Sequence, residues 1–117
     1  MTPVDIDELA FDDKGLVTVV VQDVETGDVL MVAWATREAV ERTLDEGRMV
    51  YWSRSRNELW RKGDTSGHVQ HWTELLVDCD ADTIVAQVHQ EGPACHTGER
   101  TCFFRALGDP VPEHTPR

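Results

Sequence analysis

One alternation constrains this chain more than any other feature. Asp78, Cys79, Asp80, Ala81 and Asp82 run as D-C-D-A-D. Read as a strand, the segment points successive side chains to opposite faces. Asp78, Asp80 and Asp82 then form one row of carboxylates and Cys79 faces the other way. Three carboxylates on one face repel one another, and aspartate is a poor strand former, so the segment needs a compensating cation. Hard oxygens suit Mg²⁺ and thiolates suit Zn²⁺. Two metal sites back to back imply an enzyme rather than a passive domain.

Two more cysteines follow in C-H-T-G-E-R-T-C, Cys95 and Cys102, joined by a loop that contains Gly98. Catalytic zinc usually takes three protein ligands and keeps a fourth position open. The chain has three cysteines and no fourth. Cys95 and Cys102 can share a metal, and Cys79 is the third candidate, arriving from the same chain or across a dimer interface. His96, beside Cys95, reads as a further ligand, a proton-transfer group or a residue behind the ligands. Three cysteines cannot all pair within one chain, and reduced thiolates fit a reducing compartment.

With 117 residues and 40% apolar content, the chain suits a single domain with one modest core. No apolar run approaches the ~20 residues that span a bilayer, and the N-terminus lacks a basic, apolar signal pattern. The expectation is a cytoplasmic protein. A net charge of −11 argues against a nucleic-acid binder of the usual electrostatic kind. Even so, five of the eleven basic residues fall between Arg48 and Lys62, around S-R-S-R and W-R-K-G-D-T-S-G. Arginine forks and hydroxyls bind phosphate oxygens, and glycines let the backbone approach them. Arg54, Arg56, Trp60, Lys62, Thr65 and Ser66 are the candidates for a small anionic ligand. Trp52 reads as core.

Residues 1–117 read as one domain with loosely held ends at about 1–12 and 108–117. Residues 16–21 are β-branched and predict a strand. E-T-G-D supplies the turn to a partner at 29–34. Thr36 caps a helix over 37–46 that stops at Gly47 and turns Ala39, Val40, Thr43 and Leu44 to the core. Further strands are expected at 49–52, 57–60, 69–82 (bent or divided), 83–89 and 101–105. The fold class is α+β, mainly β, with one main helix.

Taken together, V-L-M-V-A-W, Y-W-S-R-S-R, L-W-R-K-G-D-T-S-G-H, D-C-D-A-D-T and A-C-H-T-G-E-R-T-C-F, in this order over residues 29–103, resemble the phosphoribosyl-AMP cyclohydrolases of histidine biosynthesis. Asp64, His68 and Thr101 stand where that family often has Glu, Asn and Ser. The resemblance implies a homodimer whose mixed sheet folds on itself as a roll or pseudobarrel, with one Zn²⁺ and one Mg²⁺ per subunit. It implies Mg²⁺ at Asp78, Asp80 and Asp82, zinc at Cys95 and Cys102 with Cys79 supplied by the dimer partner, and His96 in catalysis. The implied reaction is hydrolysis of the N1–C6 bond of the purine in N1-(5-phosphoribosyl)-AMP, with water adding at C6. Some members are fused to the pyrophosphohydrolase of the preceding step; the expectation here is that this activity resides elsewhere. The rival readings are a zinc nucleobase deaminase, whose combined H-x-E…P-C-x-x-C signature is absent, and a zinc-stabilised RNA-binding or interaction module, which the acidic balance disfavours.

Overall fold

The computed structural model describes residues 3–111. One mixed sheet contains β1 (Val17–Asp23), β2 (Val29–Ala35), β3 (Val50–Ser53), β4 (Glu58–Arg61), β5 (Gln70–Val77) and β6 (Thr83–Gln90); helix α1 (Arg37–Glu46) lies between β2 and β3. The strand order is β4-β3-β2-β1-β6-β5. The β1–β6 pair is parallel and the other pairs are antiparallel.

The central strands follow from their side chains. Val17, Val19 and Val21 of β1 are 1%, 2% and 0% exposed and alternate with half-buried neighbours, as a strand covered on one face requires. Leu30, Met31, Ala33 and Ala35 of β2 and Ile84, Ala86 and Val88 of β6 join them in the core. The β1–β2 turn has Gly27 at φ +81°, a left-handed conformation that glycine adopts without a Cβ clash.

Helix α1 begins and ends where its caps dictate. The Thr36 hydroxyl accepts from the Ala39 amide, and Gly47 sits at φ +74° with its amide donating to the Thr43 carbonyl. Ala39, Val40 and Thr43 are buried. Leu44, expected among them, is 48% exposed. It lies at the margin of that stripe, beside a cleft lined also by Ile6, Leu9 and Val40.

The sheet curls on itself. The start of β5 hydrogen-bonds to the residues ahead of β3, with Met49 N–H donating to Gln70 C=O at 3.0 Å and Trp72 N–H to Gly47 C=O at 3.3 Å. Buried polar groups line this join. The Tyr51 hydroxyl donates to Gln70 Oε1 at 2.5 Å, and Gln70 Nε2 donates to Gln90 Oε1 at 2.7 Å. Each of these groups is thus satisfied, as burial demands. The result is an α+β, mainly β half-barrel with one helix.

Three expectations change. Residues 69–82, expected as a bent strand or two strands, form one strand that stops at Val77, and 78–82 turn into β6. Residues 101–105 form bends rather than a strand, because the Cys102 amide to Leu30 C=O is the one backbone-to-backbone hydrogen bond they make to β2 among the described residues. The N-terminal segment is held rather than loose. Asp5 and Glu8 form a reciprocal capping box around the 3-10 turn Ile6–Glu8, and Ile6, Leu9 and Phe11 pack on the core. The remaining parts of the expected loose ends, 1–2 and 112–117, lie outside the described residues. Among the described residues no helix is long and apolar enough to cross a membrane.

Candidate active site

The D-C-D-A-D run is a turn, so the alternation argument fails while the cluster it foretold survives. Asp78 Oδ1 accepts from the amides of Asp82 and Thr83 at 3.1 and 3.2 Å. Ala81 takes φ +62°, an uncommon conformation for a residue with a Cβ. The chain thereby doubles back, and ligand oxygens of Asp78, Asp80 and Asp82 come within 4.8 Å of one another. All three residues are exposed. The carboxyls of Asp82 and Asp78 push the Asp80 pKa up. Burial opposes ionisation of Asp78, yet hydrogen bonds from the Thr83 amide and from Asp82 and Asp80 hold its carboxyl below the usual range. Carboxylates this close repel one another, and a hard divalent cation relieves that repulsion, so the donor set fits Mg²⁺.

The thiolate loop is built from afar. Locally, the Thr97 hydroxyl donates to Cys95 Sγ at 3.0 Å and Gly98 N–H to Cys95 C=O at 3.0 Å. The remaining anchors reach across the molecule. Lys62 Nζ donates to Ala94 C=O at 2.7 Å. Arg100 forks onto Asp28 and Asp23, each at 2.8 Å, and bonds the Thr26 hydroxyl at 2.9 Å. Thr101 Oγ1 donates to Val29 C=O at 2.8 Å.

These anchors bring Cys95 and Cys102 together. Hydrogen bonds from the Thr97 hydroxyl and amide lower the Cys95 pKa, and one from Cys102 adds to them. Cys102 is exposed, yet partial burial, followed by the contact with Cys95, pushes its thiol up. Two adjacent sulfurs suit a soft cation, which binds them as thiolates, so this pair fits two of the ligands of a zinc ion. Cys79 is exposed at the tip of the β5–β6 turn. Among the described residues the Asp78–Asp80–Asp82 group is the one cluster of three metal-ligating side chains; Cys79 therefore does not join Cys95 and Cys102 within one chain.

A groove of about 970 Å³ runs beside this loop, lined among others by Arg56, Trp60, Lys62, Thr65, Ser66 and His96. Five of the six expected anion-binding residues therefore face one space, with His96 at its border. Gly63 (φ +90°) is required where the groove wall turns, since a Cβ there would lie 2.6 Å from the Val69 amide nitrogen. Arg54 departs from the set. Its guanidinium lies over Trp34, 3.3 Å from Cζ to the ring centroid, in an adjoining recess. Lys62 is half-buried between groove and loop. Burial lowers its pKa, against the pull of Cys102 and Cys95.

Residues to which the sequence alone gave no anchoring role also shape the site. Arg48 donates to Lys62 C=O and to Asp64 Oδ1, and Asp64 also receives Arg61 Nε at 2.7 Å. Arg100 and Thr97 hold the thiolate loop. The signal for Arg100 was a cation inside a cysteine-bracketed loop in a chain whose β1–β2 turn is acidic.

Residues 31–104 match the family described as Phosphoribosyl-AMP cyclohydrolase. The chain is 56% identical over 101 residues to a phosphoribosyl-AMP cyclohydrolase of Dinoroseobacter shibae, covering 86% of this chain and 85% of the relative. A protein of the same name from Methanococcoides burtonii is 53% identical over 111 residues, covering 94% and 92%. The Histidine biosynthesis bifunctional protein HisIE of Thermus thermophilus is 60% identical over 103 residues, which are 88% of this chain but 48% of that longer relative.

Proposed function

The chain belongs to the phosphoribosyl-AMP cyclohydrolase family and is a hydrolase of histidine biosynthesis; we propose that it opens the purine ring of N1-(5-phosphoribosyl)-AMP with a site completed by a second copy of itself. The observation that carries this reading is the single groove that gathers Arg56, Thr65, Ser66 and His96 next to the paired cysteines.

Zinc would be held by Cys95 and Cys102 of one copy and Cys79 of the other, and when bound it supplies a nucleophile from water near neutral pH. The split is supported by the exposure of Cys79 and by its absence from the cluster of the other two within one chain. Asp78, Asp80 and Asp82 would hold magnesium, whose charge favours phosphate binding.

The chain's own groups do the rest. Arg56, Thr65 and Ser66 offer donors to a phosphate along the groove. Water adds at C6, the N1–C6 bond breaks, and N1 must gain a proton as it leaves. His96 borders the groove and is the donor, directly or through a water. Lys62 sets the distance between groove and thiolate loop through its bond to Ala94 C=O; fixing reactive groups in place lowers the barrier entropically. Three free thiols suit the reducing cytoplasm.

The test is turnover of phosphoribosyl-AMP, followed by absorbance with zinc and magnesium present, then after zinc removal by a chelator and after its return. Activity that disappears and recovers with zinc supports the reading. No turnover with both metals present, or undiminished turnover without zinc, would contradict it.

A further inference from the structure

The recess next to the groove is unusual for so acidic a chain. It has a volume of about 550 Å³, and none of its lining residues is a carboxylate, although 22 of the 117 residues are Asp or Glu. Its cations are Lys14 and Arg54, and Trp34, Trp52 and Trp60 form its aromatic walls. Trp34 and Trp52 are cross-strand partners on β2 and β3. Arg54 stacks on Trp34, which holds the guanidinium flat and leaves its in-plane N–H groups free for an anion.

Ser53, Ser55 and Trp60 line both the recess and the groove. The two spaces therefore adjoin across the β3–β4 turn. Arg54 and Arg56, two positions apart in that turn, serve one space each. Asn57 (φ 56°) in the left-handed region closes the turn and allows this division.

Resting on the function proposed above, we propose that the recess of Lys14, Arg54 and Trp34 is a binding site for the 5′-phosphate of the AMP half of the substrate, separate from the groove that takes the phosphoribosyl arm. Phosphoribosyl-AMP carries two phosphates, one on the arm at N9 and one on the arm at N1. The bond that breaks lies beside N1. His96 lines the groove with Arg56, so the N1 arm belongs in the groove and the N9 arm in the recess. Trp60, common to both spaces, is the surface on which the purine between the arms stacks. The two-sided arrangement also selects for a substrate with a phosphate at each end over a mononucleotide.

The experiment measures equilibrium binding of two probes, AMP and ribose 5-phosphate, to the metal-loaded full-length protein and its variants. Arg54→Ala weakens AMP binding roughly tenfold or more, the loss of a charge-assisted phosphate contact, and leaves ribose 5-phosphate within about twofold. Lys14→Ala, at a separate position, weakens AMP in the same direction. Arg56→Ala does the reverse, losing ribose 5-phosphate and keeping AMP. AMP binding unchanged in Arg54→Ala, equal losses of both probes, or no AMP binding by the unsubstituted protein would each overturn the assignment. Turnover is assayed separately: a protein that sorts the probes as stated yet fails to hydrolyse phosphoribosyl-AMP keeps the recess and loses the proposed reaction.

Discussion

The turn at 78–82 and the loop at 95–102 carry the candidate metal ligands, and they are held in opposite ways. The side chains of the carboxylate turn are held locally, Asp78 accepting from the Asp82 and Thr83 amides within five residues, while Ala10 N–H and Thr18 N–H reach its Ala81 and Asp82 carbonyls from outside. The thiolate loop depends on Lys62, on Asp23 and Asp28 through Arg100, and on the β2 carbonyls of Val29 and Leu30. A hard-ion site tolerates exchange of its ligands and keeps waters, so a local turn at the surface suffices. A thiolate site fixes few ligands at short distances, and here distant parts of the chain converge to set them. Disturbing one region should therefore spread through the site, and disturbing the other should stay local.

The largest expected effect is at the thiolate loop itself. Cys95→Ala removes a ligand, and both zinc content and turnover fall to background; retention of zinc would take Cys95 out of the site. Next is Arg100→Ala, which touches no candidate ligand but releases the loop from the β1–β2 turn. Zinc affinity, read by competition with a chromogenic chelator, drops roughly tenfold or more, while Arg100→Lys recovers part of it. An unchanged affinity would show that the distant anchors do not govern the loop.

The carboxylate turn should respond more narrowly. Asp80→Asn raises the magnesium concentration needed for half-maximal turnover and leaves zinc content unchanged. The pH behaviour of the metal-free protein gives a second reading. Asp80 has a raised folded pKa, so its contribution favours folding below the ordinary carboxylate pKa and is lost as pH rises through the raised value. Asp80→Asn therefore makes the metal-free protein less sensitive to pH across the range just above pH 4, as thermal melts would show. A melt profile that tracks the unsubstituted protein at every pH would contradict the assignment. The smallest effect is that of Thr97→Val. It removes the hydroxyl that lowers the Cys95 pKa, so alkylation of Cys95 in metal-free protein shifts to higher pH, while the Thr97 amide retains part of the effect.

The same local-versus-distant division explains what the sequence revealed. Helix α1 was legible because Thr36 and Gly47 cap it within its own length, β1 because Val17, Val19 and Val21 alternate inward, and β2 because the E-T-G-D turn joins an apolar run to β1. The carboxylate cluster was legible for the wrong reason. Spacing by two suggested a strand, whereas a left-handed Ala81 and the Asp78 side chain make a turn that gathers the same oxygens. The roles of Arg100 and Lys62 were not legible, because their partners lie 72 to 77 and 32 residues away. Arg54 was grouped with Arg56 because they are neighbours in sequence, and the turn sends them to different spaces.

The central claim is that the site is assembled from two copies of the chain, and mixing two inactive variants tests it most directly. Cys79→Ala and Cys102→Ala homodimers each lack a ligand in every site. In mixed dimers, one of the two sites regains all three cysteines. Unfolded together and refolded at equal concentrations, the variants should recover about one quarter of the unsubstituted activity, since about half of the dimers are mixed and each has one intact site. Activity that stays at the level of the separate variants, despite mixed dimers being present, would mean that Cys79 serves its own chain.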